Sequence, residues 1–161
     1  MFVLFVCTGN TCRSPMAEHL LRTRLAGVFS LRIESAGLAA GVGQPASQGA
    51  TRVMRELGVD VSGHRSRPLS HPLVEEADLI VVMTEAHREI LCRQFAAARD
   101  KARLLSSFAL AQSDRDVMDP FGCTDAGYRA TRNEIDQYIA DLILYLRDAG
   151  GATNNQGDTT T

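Results

Sequence analysis

The chain has 161 residues, enough for one domain with a substantial core and too few for two domains of ordinary size. Hydrophobic residues make up 45% and charged residues 22% of it, the balance of a globular protein. The formal net charge of −2 speaks against a nucleic-acid partner, which selects a basic face. Lys101 is the only lysine, and the arginines are spread along the chain rather than gathered into a patch. No run approaches the roughly 18 apolar residues that a membrane span needs. Met1 leads directly into FVLFV with neither a basic n-region nor a cleavage site, so no secretory signal is expected. Cys7, Cys12, Cys92 and Cys123 lack the dense spacing of a disulfide scaffold and form no CxxC pair near histidines. A reducing cytoplasm and no structural zinc are the expectation.

Phe2 to Val6 is an unbroken apolar run suited to a strand buried on both faces. A polar loop with Gly9 and Asn10 follows. Ser14 is then the expected N-cap and Pro15 the first residue of a helix. Ala17, Leu20, Leu21, Leu25 and Val28 give that helix a buried stripe. Leu31 to Ser35 reads as a second strand, and Gly37, Gly41, Gly43 and Pro45 mark a long loop. A helix carrying Ala50, Val53, Met54 and Leu57 inward stops at Gly58. Asp78 to Met83 is a strongly apolar strand, Glu85 to Phe95 a helix with Ile90 and Leu91 inward, and Arg103 to Leu105 a weaker strand. Asp114 to Gly122 forms a loop. In the last helix Tyr128, Thr131, Ile135, Tyr138, Ile139, Leu142, Ile143 and Leu146 make one amphipathic face. The domain is expected to span 1–148, and 149–161, without apolar anchors, to be a disordered tail. Alternating strands and helices predict an α/β fold of the doubly wound, flavodoxin-like kind, a parallel sheet with helices on both faces. Ligands bind such sheets at the carboxyl ends of the strands. Both the loop after the first strand and the Asp119 loop are expected at that edge.

Residues 7 to 14 read Cys-Thr-Gly-Asn-Thr-Cys-Arg-Ser, a C-x5-R-S arrangement. A loop running from a strand into a helix turns successive N–H groups inward and builds an anion nest, reinforced by the helix N-terminus. Thr8, Gly9, Asn10, Thr11, Cys12 and Arg13 are therefore the candidate phosphate-binding residues. Gly9 and Asn10 best tolerate the positive φ that such a loop requires. Arg13 can clamp two phosphate oxygens through its planar fork. In that electropositive field Cys7 is expected to ionise well below the free-thiol value of about 8.5, a nucleophile whose departure Ser14 assists through a hydrogen bond to sulfur. Cys12 lies close enough either to trap an oxidised Cys7 as a disulfide or simply to pack. Cys92 and Cys123 are expected to be inert core residues.

Cysteine-based phosphoryl transfer needs a proton for the leaving group and then a base for water, roles that one carboxyl on a loop can fill in turn. Asp119 in DPFG is the candidate: Pro120 restricts it to extended geometry, and Gly122 permits a sharp bend. Asp114 and Asp116 read as solvated loop charges. His19, His64, His71 and His87 have no spacing that suggests a metal site or a shared base, so structural roles are expected for all four. No metal and no cofactor are required.

On these residues the chain resembles the low-molecular-weight protein tyrosine phosphatase family. The shared segments are VCTGNTCRSPMAE, the SAG at Ser35 to Gly37, GHRSRPL at Gly63 to Leu69, ADLIVVM and DPFG. The resemblance implies a four-stranded parallel sheet, Cys7 as nucleophile, Arg13 as phosphate clamp and Asp119 as acid then base. It also implies that Asn10, Ser14 and Ser35 brace the loop. The tyrosine-specific members commonly carry CLGNICRSP and DPYY, whereas this chain has Thr11 for the isoleucine and DPFG for the paired tyrosines. Both departures resemble the bacterial protein-arginine phosphatase branch.

Isoleucine at the rim favours an aromatic ring but desolvates a guanidinium without offering a partner. Thr11 offers a hydroxyl and less bulk. Phe121 is expected in the pocket wall, Gly122 removes a second aromatic wall, and an ionised Asp119 can pair with guanidinium N–H groups. The expected substrate is thus a phosphorylated protein, phosphoarginine first and phosphotyrosine as the alternative. An arsenate reductase would relay oxidation through a further pair of cysteines close in sequence, which widely separated Cys92 and Cys123 do not supply. A non-catalytic anion-binding module would not need Asp119. No feature of the pattern specifies an oligomer.

Overall fold

The structure is a computed structural model that describes residues 1–27, 30–110 and 114–151. Val28 of the expected first-helix stripe and the tail from 152 onward lie outside these residues. The described elements run β1 (Phe2–Cys7), α1 (Arg13–Leu25), β2 (Arg32–Gly37), α2 (Gln48–Arg55), α3 (His71–Glu76), β3 (Leu79–Val82), α4 (Glu85–Gln94), β4 (Ala102–Leu104) and α5 (Asp125–Gly151). Short 3-10 turns flank β4. The four strands form one parallel sheet in the order β2-β1-β3-β4. The chain leaves central β1 for one edge and returns past it to the other, so the loops after β1 and β3 diverge at a topological switch point.

Strand β1 shows why its sequence lacks polar alternation. Val3, Phe5 and Cys7 enter one core with Met16, Leu20 and Leu21 of α1, Val53 and Met54 of α2, and Ile135 and Ile139 of α5. Phe2, Leu4 and Val6 enter the other with Val74 of α3 and Leu91 of α4. Successive side chains of a strand point to opposite faces, and helices cover both. Phe5 is fully buried, and its replacement by alanine is of the kind that costs about 3–5 kcal/mol. The register Cys7↔Gly37 brings the end of β1 level with the end of β2.

Several boundaries differ from expectation. Helix α1 starts at Arg13 with Cys12 as N-cap and no side-chain cap, so Ser14 is not the N-cap. Its hydroxyl sits inside the first turn and faces Cys7. Pro15 is still in the turn where N–H groups lack intrahelical acceptors. Helix α2 ends in a Schellman turn: Gly58 N–H donates to Arg55 O at 2.9 Å and Val59 N–H to Met54 O at 3.1 Å, with Gly58 at φ 70. That turn carries Leu57 outward to 44% exposure and buries Val59 in its place. Ile90 is half-buried, while Leu91 is fully inside. Helix α3 has no counterpart among the expected elements, because six residues are too few to develop a stripe. Helix α5 continues to Gly151, past position 148. Among the described residues no helix is long and apolar enough to cross a membrane.

Candidate active site

The loop from Thr8 to Cys12 joins the carboxyl end of β1 to α1. The N–H groups of these five residues donate to no protein acceptor among the described residues, which leaves a ring of donors free for an anion. Asn10 is the hinge. It has φ 53, the sole positive value outside glycine among the described residues, and it is fully buried. Gly9, expected to share that conformation, does not have a positive φ. Asparagine tolerates the left-handed region, and here its side chain secures it. Nδ2 donates to Ser14 Oγ at 3.0 Å and Ser35 Oγ at 2.8 Å, and Oδ1 accepts from Arg67 N–H at 3.0 Å. His64 Nε2 donates to the Asn10 carbonyl at 2.7 Å. Ser35 in turn donates to Glu18.

Ser14 Oγ lies 3.0 Å from Cys7 Sγ. Because that oxygen already accepts from Asn10, its proton is available to the sulfur. Gly37 follows from close approach. A Cβ there would meet Thr8 O at 2.6 Å and Asn10 N at 3.0 Å, and the Leu38 and Ala39 N–H groups bind Cys7 O and Thr8 O, both at 2.9 Å.

Arg13 is 4% exposed. Its Nη1 donates to Val117 O at 3.1 Å and its Nη2 to Asp119 Oδ2 at 2.7 Å. Val117 N–H donates to Met83 O at 2.9 Å just past β3, which pins the acid loop across the switch point. Asp119 Oδ1 accepts from Phe121 N–H at 3.1 Å, and Cys123 N–H closes a turn on Pro120 O at 2.9 Å. Gly122 supplies that turn's φ of 76. Cys7, Thr8, Gly9, Thr11, Cys12, Arg13, Asp119 and Phe121 together line a cavity of about 240 Å³, with Phe121 77% exposed at its mouth. Residues more than a hundred positions apart thus meet over one sulfur. The arrangement offers a nucleophile, an anion cradle and a carboxyl that can reach a leaving group.

Some expectations fail here. Cys123 is exposed and Cys92 only partly buried, so Cys123 is not a core residue. Asp116 is not merely solvated, since Oδ1 accepts from Glu85 N–H at 2.8 Å at the start of α4. Sequence spacing gave His87 no place near the chemistry. In the fold its Nε2 is 2.9 Å from Thr8 Oγ1, and burial, with Arg13 nearby, pushes its pKa down to about 4. The preceding strand was the only signal: α4 follows β3, whose carboxyl end faces the same switch point. Spacing also gave no cluster for Glu18, His19 and His64, which the fold brings together. Cys12 Sγ lies 3.3 Å from Ser47 Oγ and 3.4 Å from Tyr128 Oη. Burial raises the Tyr128 hydroxyl to about 12, so it is a proton donor and not an anion.

A buried C-x5-R loop with its sulfur, arginine and carboxyl converging is matched by the family described as low molecular weight phosphotyrosine protein phosphatase, over residues 2–151. The chain belongs to that family. Its relatives include a protein-arginine-phosphatase of Geobacillus stearothermophilus, 41% identical over 90% of this chain and 95% of the relative. A probable low molecular weight protein-tyrosine-phosphatase, EpsP, of Ralstonia nicotianae is 42% identical over 74% of this chain and 77% of its own length. The YwlE arginine phosphatase, solved as a C7S mutant with a phosphorylated active-site serine, superposes with a TM-score of 0.87. It is 36% identical and covers 91% of this chain and 96% of that one. The four-stranded sheet of this low molecular weight phosphatase is thus the family fold.

Proposed function

We propose that the protein hydrolyses phosphoarginine on proteins through a phosphocysteine on Cys7. The observation that carries this is the cavity wall: Thr11 and Phe121 stand beside Cys7, Arg13 and Asp119, and these are the positions where the sequence departs from the tyrosine-specific pattern CLGNICRSP and DPYY. In the first step the Cys7 thiolate attacks phosphorus, the P–N bond breaks, and Asp119 gives its proton to the departing guanidine nitrogen. In the second, Asp119 takes a proton from water, whose oxygen attacks the phosphocysteine, releasing phosphate and the thiolate. Arg13 and the free N–H groups of the loop hold the three non-bridging oxygens in both steps. The phosphate competes with Asp119 for Arg13, and that competition frees the carboxyl for the leaving group. Asn10, Ser14 and Ser35 hold the loop in shape, and Thr11 and Phe121 set the side-chain preference.

The arginine-phosphatase relatives and the phosphorylated serine trapped in one of them support this reading. The phosphotyrosine alternative is favoured by the EpsP relative and uses the same catalytic residues. Four free cysteines fit a cytoplasmic enzyme. Cys12, whose sulfur contacts Ser47 and Tyr128, either packs there or resolves an oxidised Cys7 as a disulfide, and mass spectrometry after peroxide treatment separates the two: absence of a Cys7–Cys12 bridge counts against the redox role. The test is kcat/KM on matched phosphoarginine and phosphotyrosine peptides. A preference for phosphoarginine is expected in the wild type, with turnover of both peptides abolished in Cys7→Ser and reduced roughly a hundredfold or more in Asp119→Asn. A clear preference for phosphotyrosine sinks the arginine assignment.

A further inference from the structure

A second cavity, about 410 Å³, is lined by Glu18, His19, Arg22, Ser35 and His64 among others. It shares no lining residue with the cavity above Cys7. Inside it Glu18, His19 and His64 each present one ligand atom, and the three atoms lie within 4.8 Å of one another. Tetrahedral zinc with bonds of about 2.0–2.2 Å separates its ligand atoms by about 3.4 Å. Binding an ion therefore requires the three side chains to rotate toward one another.

Two of the three ligands are already oriented from behind. His64 donates its Nε2 proton to the Asn10 carbonyl, which only accepts, so Nδ1 is the nitrogen left for an ion, to which the neutral ring offers its lone pair. Glu18 is 6% exposed and accepts from Ser35. Ligating histidines characteristically donate their other N–H to a carbonyl, and ligating carboxylates are themselves hydrogen-bonded. Imidazole and carboxylate are the donor set of zinc-type ions.

We propose that Glu18, His19 and His64 bind one divalent ion of the zinc type, with water completing the tetrahedron. The competing cation is Arg22, whose Nη1 lies 2.9 Å from Glu18 Oε1. It is half exposed and also holds the Ile33 carbonyl, so it can release Glu18 to the ion. Arg65 and Arg67 line the same cavity, with Arg67 paired to Glu34 at 2.5 Å. The site is therefore expected to be of moderate affinity. Its position is not peripheral, since both buried ligands hold Asn10, Glu18 through Ser35 and His64 directly.

The experiment is isothermal titration of zinc into the full chain carrying Cys7→Ser, which removes the reactive thiol as a rival ligand. One ion per chain is expected, with affinity at least about tenfold weaker in His19→Gln and stronger in Arg22→Gln. His19 is only half-buried and bonds no residue of the phosphate loop, so that variant is expected to melt with its parent. No binding, or binding unchanged by His19→Gln, overturns the proposal. Neither result bears on the phosphatase reading, because the Cys7→Ser chain does not turn over.

Discussion

On the proposed function, selectivity rests on single side chains at the rim, and the catalytic groups below them serve both candidate substrates. Thr11 lines the cavity with Phe121, and its backbone carbonyl accepts from Ser47 N–H at 2.8 Å, so substitution of its side chain leaves the loop anchored. Thr11→Ile removes a hydroxyl that a guanidinium can bond and adds hydrocarbon that suits an aromatic ring. The ratio of kcat/KM for phosphoarginine over phosphotyrosine is expected to fall by about tenfold or more, the scale of one or two kcal/mol of altered contact. An unchanged ratio removes Thr11 from the argument. Asn10 illustrates a different kind of residue. Its left-handed backbone costs of the order of 1 kcal/mol and persists because its side chain and carbonyl make four hydrogen bonds.

At the scale of elements, the phosphate loop is shaped by what lies against it. Strand β2 ends at Gly37, and the space a side chain needs there is filled by Thr8 O, Ala40 Cβ and Asn10 N. Gly37→Ala forces either the strand end or the loop to move. Overpacking of this kind costs about 1–3 kcal/mol, and a displaced nest loses catalysis out of proportion to stability. Urea unfolding and kcat/KM, measured together, are expected to show both losses. Gly63→Ala is the control: no atom lies within 4 Å of its added Cβ, and its φ is ordinary. If the two variants match the wild type equally well, the close approach of β2 does not shape the loop.

At the scale of the whole molecule, stability is expected to depend on pH through His87, a buried histidine that the proposed catalytic steps do not use. His87 is 6% exposed, and burial first, then Arg13, holds its pKa near 4, while Asp119 and Asp116 pull the other way. In the unfolded chain a histidine titrates near 6.5. Between those values the unfolded state binds a proton that the native state refuses, so stability is full above about pH 6.5 and falls as pH drops through about 4. His87→Gln retains a partner for Thr8 and has no proton to gain. The drop in urea midpoint between about pH 7 and pH 4.5 is expected to be smaller in that variant. An equal drop in both proteins assigns the acid sensitivity elsewhere, for instance to carboxylates such as Glu34, held low chiefly by Arg32.

By itself the sequence determined what is local. The apolar run of β1, the helix that follows, the amphipathic face of α5 and the C-x5-R-S spacing are properties of neighbouring residues, and each is present where it was read. Cap positions were less legible. Whether Ser14 or Cys12 ends the loop depends on the path forced by Asn10, and Leu57 turned outward because the Schellman turn at Gly58 buries Val59 instead. The meeting of the Asp119 loop with the loop after β1 was legible from the alternation of elements, but only the tertiary structure decided which side chains touch: Asp119 on Arg13, His87 on Thr8, Gly37 beneath the loop, and Glu18, His19 and His64 around one cavity. The physical reason is the parallel sheet. Its crossovers bring loops distant in sequence to one edge, and no periodicity within any one segment encodes which side chains meet there.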